Sequence, residues 1–353
     1  MTGHFASATI PEVSDKSFLS ANYHSNHWYE SGSWHELMLV GAAIKLDIFI
    51  SLAQAAQGAD ALAKKLGLDK RATSLFLSAL EEANYLIREG ETYALTKPAM
   101  KMFGDKTSRA YLGWSVLHSW RLAQRWLTLP EVLATGAPVP GDRFSESVEG
   151  FVRAMDVYAA PTAEQAVNVC LSQAPLAASV LDIGGATGTI SKAFADYGLT
   201  ATLFDLPNVI DTIKDEISAA FPRIKPTGGD FNESLPKGPF DIVFLGNVTH
   251  IYGPEMNAAL YKRVFDALAP GGLIAIQDYV RGRSPSAPGF GINMLVNTTS
   301  GGTWSIEQYT DWLTAAGFGD IQLLDLAARD QQIVLGAKMK GKRRVLQENA
   351  PNL

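Results

Sequence analysis

The stretch Ser179-Val-Leu-Asp-Ile-Gly-Gly-Ala-Thr-Gly-Thr-Ile190 decides how this chain is read. An apolar run ends at Asp182, glycines follow at 184, 185 and 188, and a helix-compatible segment opens near Ile190. This is how a buried parallel strand hands over to a helix through a turn with little room for side chains. Such a turn lets a ligand approach the backbone, and the new helix offers it free N–H groups. The stretch reads as a cofactor site.

Outward from it, strands and helices alternate to the end of the chain. Strands read at 179–183, 201–205, 241–247, 273–279, 321–326 and 332–338, with a weaker one near 226–229. Helices read near 190–197, 208–220, 255–269 and 305–316. Alternation of this kind predicts an α/β fold, a mostly parallel sheet with helices on both faces. The last two strands are joined by about Ala327 to Asp330, too short for a parallel crossover, so they should pair antiparallel.

Before the glycine turn the chain reads as mostly helical. Residues 21–35 are rich in aromatics and His (Tyr23, His24, His27, Trp28, Tyr29, Trp34, His35) without a metal-ligand pattern, which favours packing or a subunit contact. An apolar helix reads at 36–56, then helix, Gly67 turn and helix up to Ala83, with Asp69 as N-cap, then a hairpin around Glu89-Gly-Glu91. Helix-turn-helix plus hairpin is a winged-helix pattern. Its second helix begins with Lys70 and Arg71 but then runs apolar and ends in Glu81-Glu82, so dimerisation is expected rather than DNA binding. Residues 108–135 read as aromatic and helical, 135–142 as a loop, and Phe151 to Ser172 as one helix that Pro161 kinks or divides. Phe151, Met155 and Tyr158 share a face of it. The expected division is 1–107 as a helical dimerisation domain, 108–176 as a connector lining an acceptor pocket, 177–341 as the catalytic domain and 342–353 as a solvated tail.

Composition limits the function. A net charge of −6 and a pI near 5.6 argue against nucleic acid as the main partner. The one cysteine, Cys170, removes a disulfide framework and a thiolate metal site, so no metal is expected. The first thirty residues lack the apolar core of a secretory leader, and the stretch Leu37 to Ile50 is shorter than the ~20 residues a membrane span needs. A cytoplasmic location without membrane contact is expected.

The ends of the strands narrow the ligand. Asp205 lies 21 residues after Gly184, where an acidic residue meets ribose hydroxyls, although it also stands where a helix N-cap would. The nicotinamide pattern fails for want of a glycine in its third place, and a Walker A loop is missing. S-adenosylmethionine (SAM) suits what remains. Its ribose would take Asp205, its adenine would lie between Leu206 and Phe231, and the amine end of the adenine would face Asp230. Gly185 and Gly188 are equally explained by turn geometry and helix–strand packing. His250, after the strand ending at Asn247, stands at the same edge, where a histidine can serve as a base.

Six stretches carry a family likeness: Leu181-Asp-Ile-Gly-Gly-Ala-Thr-Gly188, Phe204-Asp-Leu-Pro207, Gly228-Gly-Asp230, Asn247-Val-Thr-His250, Leu268-Ala-Pro-Gly-Gly-Leu-Ile274 and Asn293-Met-Leu-Val-Asn297. In these the chain resembles the class I SAM-dependent small-molecule O-methyltransferases of the caffeate, acetylserotonin and hydroxyneurosporene type, along nearly its whole length. The resemblance implies a Rossmann-like SAM domain, an N-terminal winged-helix dimerisation domain and a homodimer. It implies SAM contacts at Gly184, Asp205, Asp230 and Phe231, and Asp182, Gly185, Leu206 and Asn247 complete the expected cofactor site. It implies His250 as catalytic base, with Asp278 beside it or serving as a loop hydrogen-bond partner. Two departures stand out: Ile251 follows the His where plant enzymes carry an acid, and Thr303 falls where they carry a second carboxylate. The acceptor wall would draw on Met155, Tyr158, Met294, Asn297 and Trp304. The expected activity is methyl transfer to a hydroxyl of an aromatic or polyketide-like small molecule in secondary metabolism. A C- or N-methyltransferase, or a SAM-binding cyclase that does not methylate, stands as the alternative.

Overall fold

A computed structural model describes residues 34–141, 148–327 and 329–339. The aromatic and His positions between 21 and 33, and the basic tail from 340, lie outside the described residues. The chain forms two compact units that divide after Arg121.

In the first unit the apolar segment 36–56 is two helices, α1 (Trp34–Lys45) and α2 (Ile48–Gln54), rather than one. Asp47 breaks it, with a left-handed φ of 54° that a helix interior does not allow. Then come α3 (Ala59–Leu66) and α4 (Lys70–Glu82), separated by Gly67 at φ 68°. Asp69 caps α4 as expected, accepting the Ala72 N–H at 2.8 Å. Strands β1 (Leu86–Glu89) and β2 (Thr92–Leu95) form the antiparallel hairpin. Helix α5 (Lys97–Phe103), not anticipated from the sequence, follows the Thr96 cap. Phe49 stacks on Phe103 at 5.0 Å to centre this unit's core.

Helix α6 (Gly113–Trp126) runs through the boundary, and α7 (Leu129–Thr135) and α8 (Val148–Gln173) lead into the second unit. The segment 108–135 thus holds two helices. Helix α8 continues through Pro161.

The second unit continues as β3 (Ser179–Ile183), α9 (Thr189–Asp196), β4 (Thr200–Asp205), α10 (Pro207–Ala220), β5 (Ile224–Gly228) and β6 (Phe240–Gly246). It ends as α11 (Pro254–Ala267), β7 (Leu268–Asp278), α12 (Ala287–Asn297), α13 (Ile306–Ala316), β8 (Gly319–Leu326) and β9 (Gln331–Ala337). The sheet order is β5-β4-β3-β6-β7-β9-β8. Strands β3 to β7 run parallel, and β9 lies antiparallel between β7 and β8. The expected α/β sheet and its closing antiparallel pair are what the chain forms. Helix α12 escaped the sequence reading because Pro288, Gly289 and Gly291 depress helix propensity, although a proline in the first turn costs nothing there.

Side chains alternate across the sheet with a period of two. Ile242 and Phe244 enter the core beneath α8, α9 and α10 with Val167, Phe194 and Ile217. Val243 and Leu245 enter the opposite core with Leu260, Tyr261, Tyr309 and Leu313 of α11 and α13. Each large apolar side chain buried here contributes roughly 1.5–3 kcal/mol. The sheet is therefore a rigid platform, and its carboxyl edge carries the site.

Candidate active site

Because β3, β4, β6 and β7 are parallel, their carboxyl ends open on one edge. The glycine turn leaves β3 there. Gly184 has φ 68°, and its N–H donates to the Phe204 carbonyl at 2.8 Å. A Cβ on Gly185 would lie 2.3 Å from Leu203 Cδ1, and one on Gly188 3.0 Å from Leu203 Cδ2. Packing of the turn on β4 and Asp182 thus demands glycine at 185, while at 188 the left-handed φ of 78° favours it. Asp182 lies buried beneath the turn, where Ser191 donates to its Oδ2 from both its hydroxyl (2.6 Å) and its N–H (3.1 Å). Burial pushes this carboxyl up to about 6 against those bonds.

Asp205 at the end of β4 turns toward the glycine loop. Its Oδ2 accepts the Ala186 N–H at 2.9 Å and its Oδ1 the Leu206 N–H at 2.7 Å. Leu206, not Asp205, holds the cap position of α10, and no side chain caps that helix. Burial raises the Asp205 carboxyl, and the two amides oppose that shift. Beyond β5, Asp230 accepts the Asn232 N–H at 2.8 Å, and the buried Phe231 ring meets Tyr252 edge-on at 5.6 Å. These groups fit an adenosine: one carboxylate tied to the loop for the ribose, a second carboxylate beside an apolar ring for the base. Asn247 adopts φ 59° and donates its N–H to the Gln277 carbonyl, while its Oδ1 accepts from Gln331 Nε2 at 2.6 Å.

His250 sits in a short 3-10 turn (Thr249–Ile251) after β6. Asp278, the last residue of β7, reaches it twice: Oδ1 lies 2.8 Å from His250 Nδ1, and Oδ2 accepts the His250 backbone N–H at 3.0 Å. The ring is also held edge-on by Phe290, centroids 4.8 Å apart. Gly302 donates to the His250 carbonyl at 2.9 Å, and a side chain on Gly301 would strike that carbonyl at 2.3 Å. Trp304 Nε1 donates to the Thr249 carbonyl at 3.2 Å. The segment 301–304 therefore clamps the turn that carries the histidine. Thr303, in the place of a second acid, donates to the Ala287 carbonyl and secures α12. Nδ1 of His118, on α6, lies 2.9 Å from Arg121 Nη2. Burial and that guanidinium lower its pKa to about 3.

Met155 and Tyr158 lie half-buried on α8; Met294 is buried and Asn297 half-buried on α12. Asn297 turns its amide back onto Asn293, 2.8 Å from the carbonyl and 3.1 Å from Oδ1. Sequence reasoning missed Asp156, to which both Thr187 and Thr189 of the glycine turn donate. Its signal was a lone acid in the half-apolar run Ala154-Met-Asp-Val-Tyr158. Among the described residues no cluster of His, Cys, Asp and Glu is placed to hold a metal ion, and no helix is long and apolar enough to cross a membrane.

This geometry belongs to a known class. Residues 151–319 match the O-methyltransferase domain family, and the chain is a class I SAM-dependent O-methyltransferase with S-adenosylmethionine as its cofactor. It is 29% identical to the tetracenomycin polyketide synthesis 8-O-methyl transferase TcmO of Streptomyces glaucescens, over 84% of this chain and 91% of that one. It is likewise 29% identical to the 3-hydroxy-5-methyl-1-naphthoate 3-O-methyltransferase of Streptomyces sahachiroi, over 87% and 93%. Among solved structures, PigF with SAH shares its fold at a TM-score of 0.74 and 24% identity, covering 87% of this chain and 97% of that one.

Proposed function

We propose that this enzyme methylates a hydroxyl of an aromatic or polyketide-like small molecule in secondary metabolism, with His250 as general base. The observation that carries the reading is the Asp278–His250 contact at 2.8 Å on the edge where the glycine turn opens. Bound SAM supplies a methyl group on a sulfonium that is already a good leaving group. The chain's task is then to orient the acceptor oxygen and take its proton.

Asp278 accepts the Nδ1 proton of His250, which leaves the lone pair on Nε2. Nε2 takes the acceptor's hydroxyl proton as the oxygen–methyl bond forms. The backbone bond from His250 to Asp278 keeps ring and carboxylate in register, so one carboxylate does the orienting that plant enzymes share between two. Met155, Tyr158, Met294, Asn297 and Trp304 form the acceptor wall, an apolar surface with few polar groups that suits a flat ring. Asp182, Gly184, Gly185, Asp205, Leu206, Asp230, Phe231 and Asn247 make the SAM site. Asp205 takes the ribose, and Asp182 supports the turn from below.

The test is transfer of label from methyl-labelled SAM to a panel of hydroxyarenes, hydroxynaphthoates included, by the wild type and by His250→Ala. Transfer that survives the substitution within about threefold removes the base assignment. The same reading takes residues 1–107 as a winged-helix dimerisation domain, 108–176 as connector and 177–341 as the catalytic domain of a cytoplasmic homodimer. A monomer by light scattering at micromolar concentration contradicts the dimer.

A further inference from the structure

Pro161 lies inside α8 and has no N–H to offer the Val157 carbonyl four residues before it. Arg329, from the turn between β8 and β9, takes that place: its Nη2 donates to Val157 O at 3.3 Å. The same guanidinium lies over the Tyr158 ring, 5.2 Å from its centroid. Arg329 is 8% exposed, so this cation–ring contact is largely shielded from water. On the other side of the proline, Thr162 Oγ1 donates to the Ala159 carbonyl at 3.2 Å and accepts from Gln277 Nε2 at 2.8 Å. Gln277 Nε2 also donates to Gln331 Oε1 at 2.7 Å, and Gln331 donates to Asn247. The sheet edge thus grips the proline turn of α8 from both sides, with Gln277 immediately before Asp278.

We propose that Arg329 is a positioning residue for the methyl acceptor: it pins the proline turn of α8 and thereby fixes the Tyr158 ring. This rests on the reading of Tyr158 as part of the acceptor wall. The half of α8 before Pro161 carries Met155, Asp156 and Tyr158, and Asp156 holds the glycine turn. Loosening the turn at Val157 lets this half pivot about the proline, and the Tyr158 ring moves most because it loses its guanidinium cover. Lysine reaches a carbonyl but lacks the planar fork that bonds and stacks at once, so R329K restores only part of the function.

Two measurements on the full chain test this. Amide hydrogen exchange without ligand should be at least about fivefold faster at residues 155–160 in R329A than in wild type, with R329K between them. Unchanged exchange there overturns the pinning. With 3-hydroxy-1-naphthoate as acceptor probe, R329A should raise KM about tenfold, with kcat within about threefold and SAH affinity within about twofold. An unchanged KM overturns the proposal, as does an equal loss of SAH affinity. Because Arg329 acts through Tyr158, adding R329A to Y158A should leave KM where Y158A put it, and a further rise overturns the route through the ring. A Y158A enzyme with wild-type KM, or a wild type that does not methylate the naphthoate, counts instead against the acceptor-wall reading. The exchange measurement still decides the pinning in that case.

Discussion

Asp278 binds His250 through both carboxylate oxygens, one on the ring Nδ1 at 2.8 Å and one on the backbone N–H at 3.0 Å. The first bond selects the tautomer and the second holds the turn. Tyr279 adds its own N–H to Oδ1 at 2.8 Å, so the carboxylate is held by three donors. Removing the imidazole should cost about a hundredfold or more in kcat, and Asp278→Asn about ten- to a hundredfold, because an amide can present its NH2 to Nδ1 and favour the wrong tautomer. Steady-state rates on the acceptor turned over by wild type check this. An Asp278→Asn enzyme with full kcat would mean that the turn alone orients the ring.

Asp205 joins the end of β4 to the glycine turn through Ala186, whose φ of 48° depends on that support. Asp205→Asn should weaken SAH binding by about ten- to a hundredfold, the range for a lost hydrogen bond to a charged group. Calorimetric titration measures it. Affinity within twofold of wild type takes Asp205 out of the ribose site.

Gly185→Ala tests why the turn is glycine. The added methyl would meet Leu203 Cδ1 at 2.3 Å and Asp182 Oδ2 at 2.7 Å. Overpacking of this kind should cost about 1–3 kcal/mol of stability by urea unfolding. Leu203→Ala in the same chain should recover part of the added cost. A Gly185→Ala protein of wild-type stability would show that the turn has slack that the packing does not reveal.

Asp182 gives the stability a sign with pH. Burial raises its carboxyl from 3.8 to about 6, so the folded chain holds a proton that the unfolded chain releases in that window. Its contribution to stability therefore falls as pH rises through the window, most of it gone by the upper end. Asp182→Asn is neutral throughout and keeps an acceptor for Ser191. Its stability relative to wild type should improve on going from about pH 4 to about pH 6 in parallel urea titrations. Parallel curves for the two proteins would mean that the carboxyl titrates near its ordinary value.

Local order along the chain was enough to place the carboxyl edge. The apolar run into Gly184, the acid at Asp205 and the histidine after Asn247 each belong to one strand end, and a parallel sheet brings strand ends to one side whatever the details of packing. The helix breaks were less legible. Nothing in the apolar run around Asp47 announces a left-handed residue, and the glycines of α12 disguise a helix that tertiary packing enforces.

By itself, the sequence determined the sheet, the edge on which its parallel strands end and the histidine that stands there, because periodicity and glycine chemistry act over a few residues. The tertiary structure alone decided who meets whom across long separations. Asp278 joins His250 across 28 residues, Asp156 joins Thr187 across 31, and Arg329 joins Val157 across 172. Such contacts depend on how strands and helices close on one another, and a side chain's partner is not written in the residues beside it.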